Sequence, residues 1–166
     1  MKRTLLILLC LPIFVLSQQN IGDYYGGGVV FHIDNSGTHG LIADINDLGH
    51  CWWGPTDIAI STSPNVGTGA ANTSAILNSS GGIWPTYAQC NQYPGGTAVE
   101  ACANSTNQGF TDWYLPSKDE LLLMYNLKNT IGNTSQANGG TEMKQISFGN
   151  PQYYWSSTSS GTNQAV

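Results

Sequence analysis

The sequence predicts an α+β domain in which short helices pack on a small antiparallel sheet and long loops connect them. Three observations carry that expectation. Val29 to Ile33 and Gly40 to Asp44 are apolar, β-branched runs separated by Asn35-Ser36-Gly37-Thr38, the pattern of a hairpin. Leu115-Pro116-Ser117 leads into Lys118-Asp119-Glu120-Leu121, a strand-to-helix passage closed by a Ser-x-x-Glu capping box. Between such segments run stretches rich in Gly, Ser, Thr, Asn and Pro, at residues 54 to 71, 78 to 96 and 132 to 151. Loops of that length inside one domain usually carry function or are disordered.

The N-terminus reads as an export signal. Lys2 and Arg3 precede an apolar run from Thr4 to Leu16, and Val15-Leu16-Ser17 offers residues a signal peptidase accepts, so cleavage before Gln18 is expected. The run is shorter than the roughly 20 residues that span a bilayer, and Pro12 interrupts it. Residues 1–17 are therefore set apart as a signal peptide, and 18–166 are expected to form one secreted or cell-surface domain with one core and no membrane span.

In that domain the first element is the hairpin. A short helix is expected from Asn72 to Leu77, capped by Asn72 and stopped by Gly81-Gly82. Another spans Thr97 to Ala103. The third begins after Ser117, whose hydroxyl can cap it, and Leu121, Leu122, Met124, Tyr125 and Lys128 follow a helical period up to Gly132, where a helix can stop.

Charge narrows the partners. Only 9% of residues are Asp, Glu, Lys or Arg, against about 25% in an average domain. Beyond residue 17 three lysines, Lys118, Lys128 and Lys144, face ten carboxylates, a balance of −7 with no arginine. Nucleic acid and other polyanions need clustered cations to release counterions, so they are excluded, as is an anionic membrane surface.

Cys51, Cys90 and Cys102 follow the leader, an odd number for an exported chain. No spacing matches a zinc or redox motif. A loop-closing bridge is the simplest use, Cys90 with Cys102 being favoured because it staples the Pro94-Gly95-Gly96 loop, while Cys51 paired with either stays open.

Catalytic signatures do not stand out, and neither a cofactor nor a metal is expected. Gly26-Gly27-Gly28 lacks the Lys-Ser/Thr of a phosphate loop and precedes a strand. Ser156 and Ser157 do not sit in a G-x-S-x-G elbow. His32, His39 and His50 form no metal motif, and Asp34, Asn35, Asp44, Asn46 and Asp47 read as turn residues bonding their own backbone.

The block Asp112-Trp113-Tyr114-Leu115-Pro116-Ser117 with Glu120-Leu121, followed by Tyr154-Trp155-Ser156-Ser157-Thr158, resembles the Lcl C-terminal domain family, named for part of a collagen-like bacterial adhesin. The stretch Gly22-Asp23-Tyr24-Tyr25-Gly26-Gly27-Gly28 onward to Ala43 is similar to the opening hairpin of its secreted members. The resemblance implies a C-type lectin-like fold in which Trp113 and Trp155 are core residues and Pro116, Ser117 and Glu120 form the helix-start motif. Members of the family continue past the second block with closing strands and a basic segment, whereas this chain stops at Gln164-Ala165-Val166. An incomplete C-terminal end and an open sheet edge at Tyr153 to Ser157 are the expected consequences.

Aromatic residues in or beside the polar loops are the binding candidates: Trp52, Trp53, Trp84, Tyr87 and Tyr93. Rings that stack on C–H faces, flanked by amides and carboxylates that bond hydroxyls, suit a neutral sugar. The sulfated glycans attributed to the family's namesake do not carry over, for want of cations. The function expected is a binding or adhesion module, not an enzyme, with a neutral glycan or a surface protein as partner. The alternative is an assembly subunit, a homo-oligomer included, that pairs through its open sheet edge.

Overall fold

The computed structural model describes residues 18–49, 51–85, 96–143 and 154–160. Three strands, β1 (Tyr24–Tyr25), β2 (Gly28–Ile33) and β3 (Gly40–Asp44), form one antiparallel sheet in that order. Four helices follow: α1 (Gly69–Leu77), α2 (Ala98–Ala103), α3 (Lys118–Asn126) and α4 (Lys128–Ala137).

The hairpin forms where the sequence places it. Its turn is tied by Asp34, whose carboxylate accepts from the Ser36 backbone N–H (3.0 Å) and hydroxyl (2.6 Å), with Gly37 supplying a φ of 72°. Val30 pairs with Ile42 but His32 pairs with Leu41, so Phe31 is an extra residue in β2. This bulge accompanies the burial of Phe31 beside Val29 and Ala43.

The α+β expectation holds, but the apolar interior is divided. One cluster joins Val29, Phe31, Ala43 and Ile45 of the hairpin region to Ile131 of α4, rimmed by Leu123, Met124 and Leu127. A second joins Ile76 of α1 to Ala98 and Val99 of α2 and to Leu115, with Trp53 and Trp84 packed against it. Among the described residues the single core expected from chain length is thus two clusters.

A buried polar seam connects them. The capping box at Ser117 and Glu120 forms as read, Ser117 Oγ accepting from Glu120 N–H (3.3 Å) and Glu120 Oε2 from Ser117 N–H (2.7 Å). Glu120 also reaches across the fold. Its Oε1 accepts from Gly67 N–H (2.7 Å) and Gly69 N–H (3.4 Å) at the start of α1, and the side chain is fully buried. A Cβ on Gly69 would collide with this carboxylate and with Tyr114, so glycine is required there by close approach. Thr73 of α1 bonds both the N–H (3.1 Å) and the carbonyl (3.3 Å) of Leu115.

Several local expectations change. Among residues 154–157 there is no strand; Tyr153 lies outside the described residues. Ser156, Ser157 and Thr158 are instead buried as a polar plug. Ser157 N–H donates to Pro116 O (2.7 Å), Lys118 N–H to Thr158 Oγ1 (2.9 Å), and Ser159 N–H to Thr62 Oγ1 (2.8 Å). Partners in side chains and turns replace a sheet ladder. Trp155 is not a core residue: it is 40% exposed, its indole N–H held by Cys51 O (2.8 Å), because the plug takes the interior position. Trp113 is half-buried, its indole N–H on Asn107 O (3.0 Å).

Asn72 does not cap α1, which starts at Gly69 after Thr68 and ends before Asn78, short of Gly81-Gly82. Asn72 is buried within the helix and ties Ser63 and Ser157 together through Nδ2 (2.7 and 3.2 Å). The helix expected from Thr97 to Ala103 forms as α2, with Thr97 as its N-cap. Gly132 does not stop a helix; it lies buried inside α4, where an added Cβ would stand 3.3 Å from Met143 N. The returning chain needs that space, which outweighs the helix-propensity cost of about 1 kcal/mol. Part of the loop expected at 132–151 is accordingly helical.

Candidate functional site

An open groove of about 1080 Å³ runs along the hairpin, lined by Tyr25 and Gly26, by His39 at the turn, and by Phe110, Asp112 and Trp113. Local geometry brings these residues together. Gly26 (φ 58°) and Gly27 (φ 81°) turn the chain from β1 to β2, and a Cβ on Gly27 would collide with Gln108. The segment after α2 therefore packs directly on this turn. There Gln108 adopts φ 56°, a left-handed conformation that costs a non-glycine residue about 1 kcal/mol or more. Tyr24 OH meets Gln108 Oε1 at 3.5 Å across the lip.

Tyr25 is 56% exposed and Phe110 41%. The Phe110 and Trp113 rings meet edge to face, centroids 6.4 Å apart at 82°. Trp113 is anchored through Asn107, whose amide in turn donates to Asp44 at the end of β3. At the far rim the His39 ring lies 3.3 Å from the Asp34 carboxylate. The Ser36 hydroxyl, with the backbone N–H groups of His39 and Ser36, holds Asp34 below the usual carboxylate range. No lysine or arginine is among the described residues lining the groove.

A second, smaller pocket of about 210 Å³ lies beyond Trp113 and Tyr114, which line both concavities. Asp44 borders it. Burial raises the Asp44 pKa, the Asn107 amide opposing only in part. Cys102 is a free thiol there, pushed up to about 12 by burial and then by the Asp44 charge. It is thus a protonated, inert thiol at neutral pH. Tyr114 is pushed up to about 12 by burial and by the charges of Glu120 and Asp112.

The staple expected between Cys90 and Cys102 is not formed, since Cys102 is free within the packing of the second cluster. Cys90 lies outside the described residues. Among the described residues Cys51 is disulfide-bonded.

Of the aromatic residues expected at the site, the three described ones, Trp52, Trp53 and Trp84, do not line the groove. Trp52 is 51% exposed, while its neighbour Trp53 packs into the second cluster and donates its indole N–H to Ser156 O (2.7 Å). Trp84 packs on the same cluster. Tyr87 and Tyr93 lie outside the described residues. The groove aromatics Tyr25 and Phe110 escaped the sequence reading. Their signal was adjacency to glycines that must turn: Tyr24-Tyr25 before Gly26-Gly27-Gly28, and Phe110 after Gly109.

Asp44 and Asp47 accept the backbone N–H groups of Asn46 (3.0 Å) and Gly49 (2.8 Å), two residues on, the turn geometry expected of them. Among the described residues no three His, Cys, Asp or Glu side chains converge as a metal site, and no helix is long and apolar enough to cross a membrane. No protein-family model matches the chain, and no curated protein or solved structure shows significant similarity to it.

Proposed function

We propose that this chain is an exported binding or adhesion module, of C-type lectin-like fold and related to the Lcl C-terminal domain family, that holds a neutral carbohydrate in the groove beside the hairpin. One observation carries the reading: exposed Tyr25 and Phe110, with half-buried Trp113, line a polar-rimmed groove that has no lysine or arginine among its described residues. Aromatic faces gain by covering the C–H surface of a sugar ring, and amide, hydroxyl, imidazole and carboxylate groups then bond its hydroxyls. Gln18, Gln19, Ser36, Thr38, His39 and Asp112 supply such groups along the groove. The net charge of the exported portion disfavours sulfated or phosphorylated ligands.

A glycan array probed with and without calcium tests this reading, with Tyr25→Ala and Phe110→Ala beside the unaltered protein. Retention of neutral glycans that falls at least about tenfold in each variant, as loss of one stacked ring implies, is the expected result. Absence of glycan binding, or binding indifferent to both substitutions, overturns it. For the alternative of an assembly subunit, residues 154–157 offer no strand edge, and the described sheet ends on β1 and β3, either of which would be the pairing edge.

A further inference from the structure

The smaller pocket takes no part in the sugar reading, and its lining has a distinct chemistry. Five aromatic residues, Phe31, Trp113, Tyr114, Tyr154 and Trp155, share it with three carboxylates, Asp44, Asp47 and Glu142. No lysine, arginine or histidine is among the described residues that line it. We propose that this pocket binds a small organic cation of the quaternary or methylated ammonium class.

Size, charge and lining each select that class. A cavity of about 210 Å³ has room for about seven waters' worth of liquid volume, the scale of a compact head group. The carboxylates favour a positive charge, and burial works against the charge on Asp44, so a cation alongside restores what the partial shield of the Asn107 amide leaves uncompensated. Ile45, Leu48 and Met143 add apolar wall beside the rings. A hard metal ion asks for six or more oxygens and gains little from such a wall. A bare ammonium is compact and strongly hydrated, and would lose its water to surfaces that cannot replace it. A methylated ammonium carries a diffuse charge under an apolar coat, so it gains from aromatic faces and carboxylates together. The site is held in shape from several directions: Tyr154 OH donates to Asp47 Oδ2 (3.1 Å), Trp155 Nε1 to Cys51 O (2.8 Å), and Trp113 Nε1 to Asn107 O (3.0 Å).

Calorimetric titration of the intact protein with choline chloride, and separately with its uncharged isostere 3,3-dimethylbutan-1-ol, tests the proposal. Choline is expected to bind with a Kd of about 1 mM or tighter, and the isostere at least about tenfold more weakly, since it keeps the shape and loses the charge. Glu142→Gln at the exposed rim and Trp155→Ala should each weaken choline binding at least about threefold, with the unfolding midpoint of Glu142→Gln unchanged. Should Trp155→Ala fail to fold, Asp47→Asn provides the second variant. Equal affinity for the two probes, no heat with choline, or choline binding indifferent to these substitutions would each overturn the proposal. Neutral-glycan retention on the array is independent of these outcomes.

Discussion

The hairpin half and the seam half of this molecule are stabilised by different physics. Around the hairpin, Val29, Phe31, Ala43, Ile45 and Ile131 exclude water from an apolar cluster. Stability there scales with area and is non-directional. At the seam, Glu120, Ser117, Asn72, Thr73 and the Ser156-Ser157-Thr158 plug are buried and satisfied by hydrogen bonds. A satisfied buried polar network gives modest net stability, yet removing one member leaves the others without partners in a low dielectric. The apolar half therefore tolerates graded change and the seam does not.

Glu120→Ala puts the largest strain on this contrast. It strips an acceptor from the N–H groups of Gly67, Gly69 and Ser117 at once, and denaturant unfolding should show a loss of about 4 kcal/mol. Glu120→Gln keeps one carbonyl oxygen and should lose about half of that. Ile131→Ala in the apolar cluster should follow, with a loss of about 3 kcal/mol. A greater loss from Ile131→Ala than from Glu120→Ala would reverse the comparison. Ser157→Ala is gentler, since Asn72 keeps its bond to Ser63 O, and a loss of about 1 kcal/mol is expected.

Tyr114→Phe should change neutral-pH stability least, by about 0.5 kcal/mol or less, and it sharpens the comparison at high pH. The folded pKa of Tyr114, about 12, lies above the ordinary value near 10. Its contribution to stability is thus complete below pH about 10 and is lost as pH rises towards about 12, because the unfolded chain releases the proton first. Unfolding curves measured across that window should fall less steeply for Tyr114→Phe than for the unaltered protein. Cys102 acts in the same direction from a thiol pKa of about 12, so the Phe variant should retain a residual slope; identical slopes in the two proteins would remove Tyr114 from the account.

Legibility followed the range of the interaction. The capping box was readable because Ser117 and Glu120 are three residues apart. The second duty of Glu120 was not, because Gly67 lies 53 residues away. Gly132 looked like a stop by local rule, but the chain returning at Glu142 and Met143 makes it a contact glycine. In Trp155-Ser156-Ser157-Thr158 the resemblance put the tryptophan inside, and the hydroxyl residues are buried in its place. The groove was half legible: Trp113 was marked as structural, and Tyr25 and Phe110 only became neighbours of it when Gln108 packed on Gly27.

What the chain determined by itself is therefore its short-range grammar: the hairpin registered around Asp34 and Gly37, the helix starts at Thr97 and Ser117, and a composition poor in charged residues. These follow from bonds and conformations closed within a few residues, or from composition, and need no knowledge of the rest. Tertiary structure alone decided which aromatic rings remain in water and which polar groups go inside. Trp155 stays out and Ser156, Ser157 and Thr158 go in because Pro116, Lys118, Thr62 and Asn72 offer hydrogen-bond partners there. A buried serine costs little once every donor and acceptor is matched, and that matching exists only when distant segments have already been brought together.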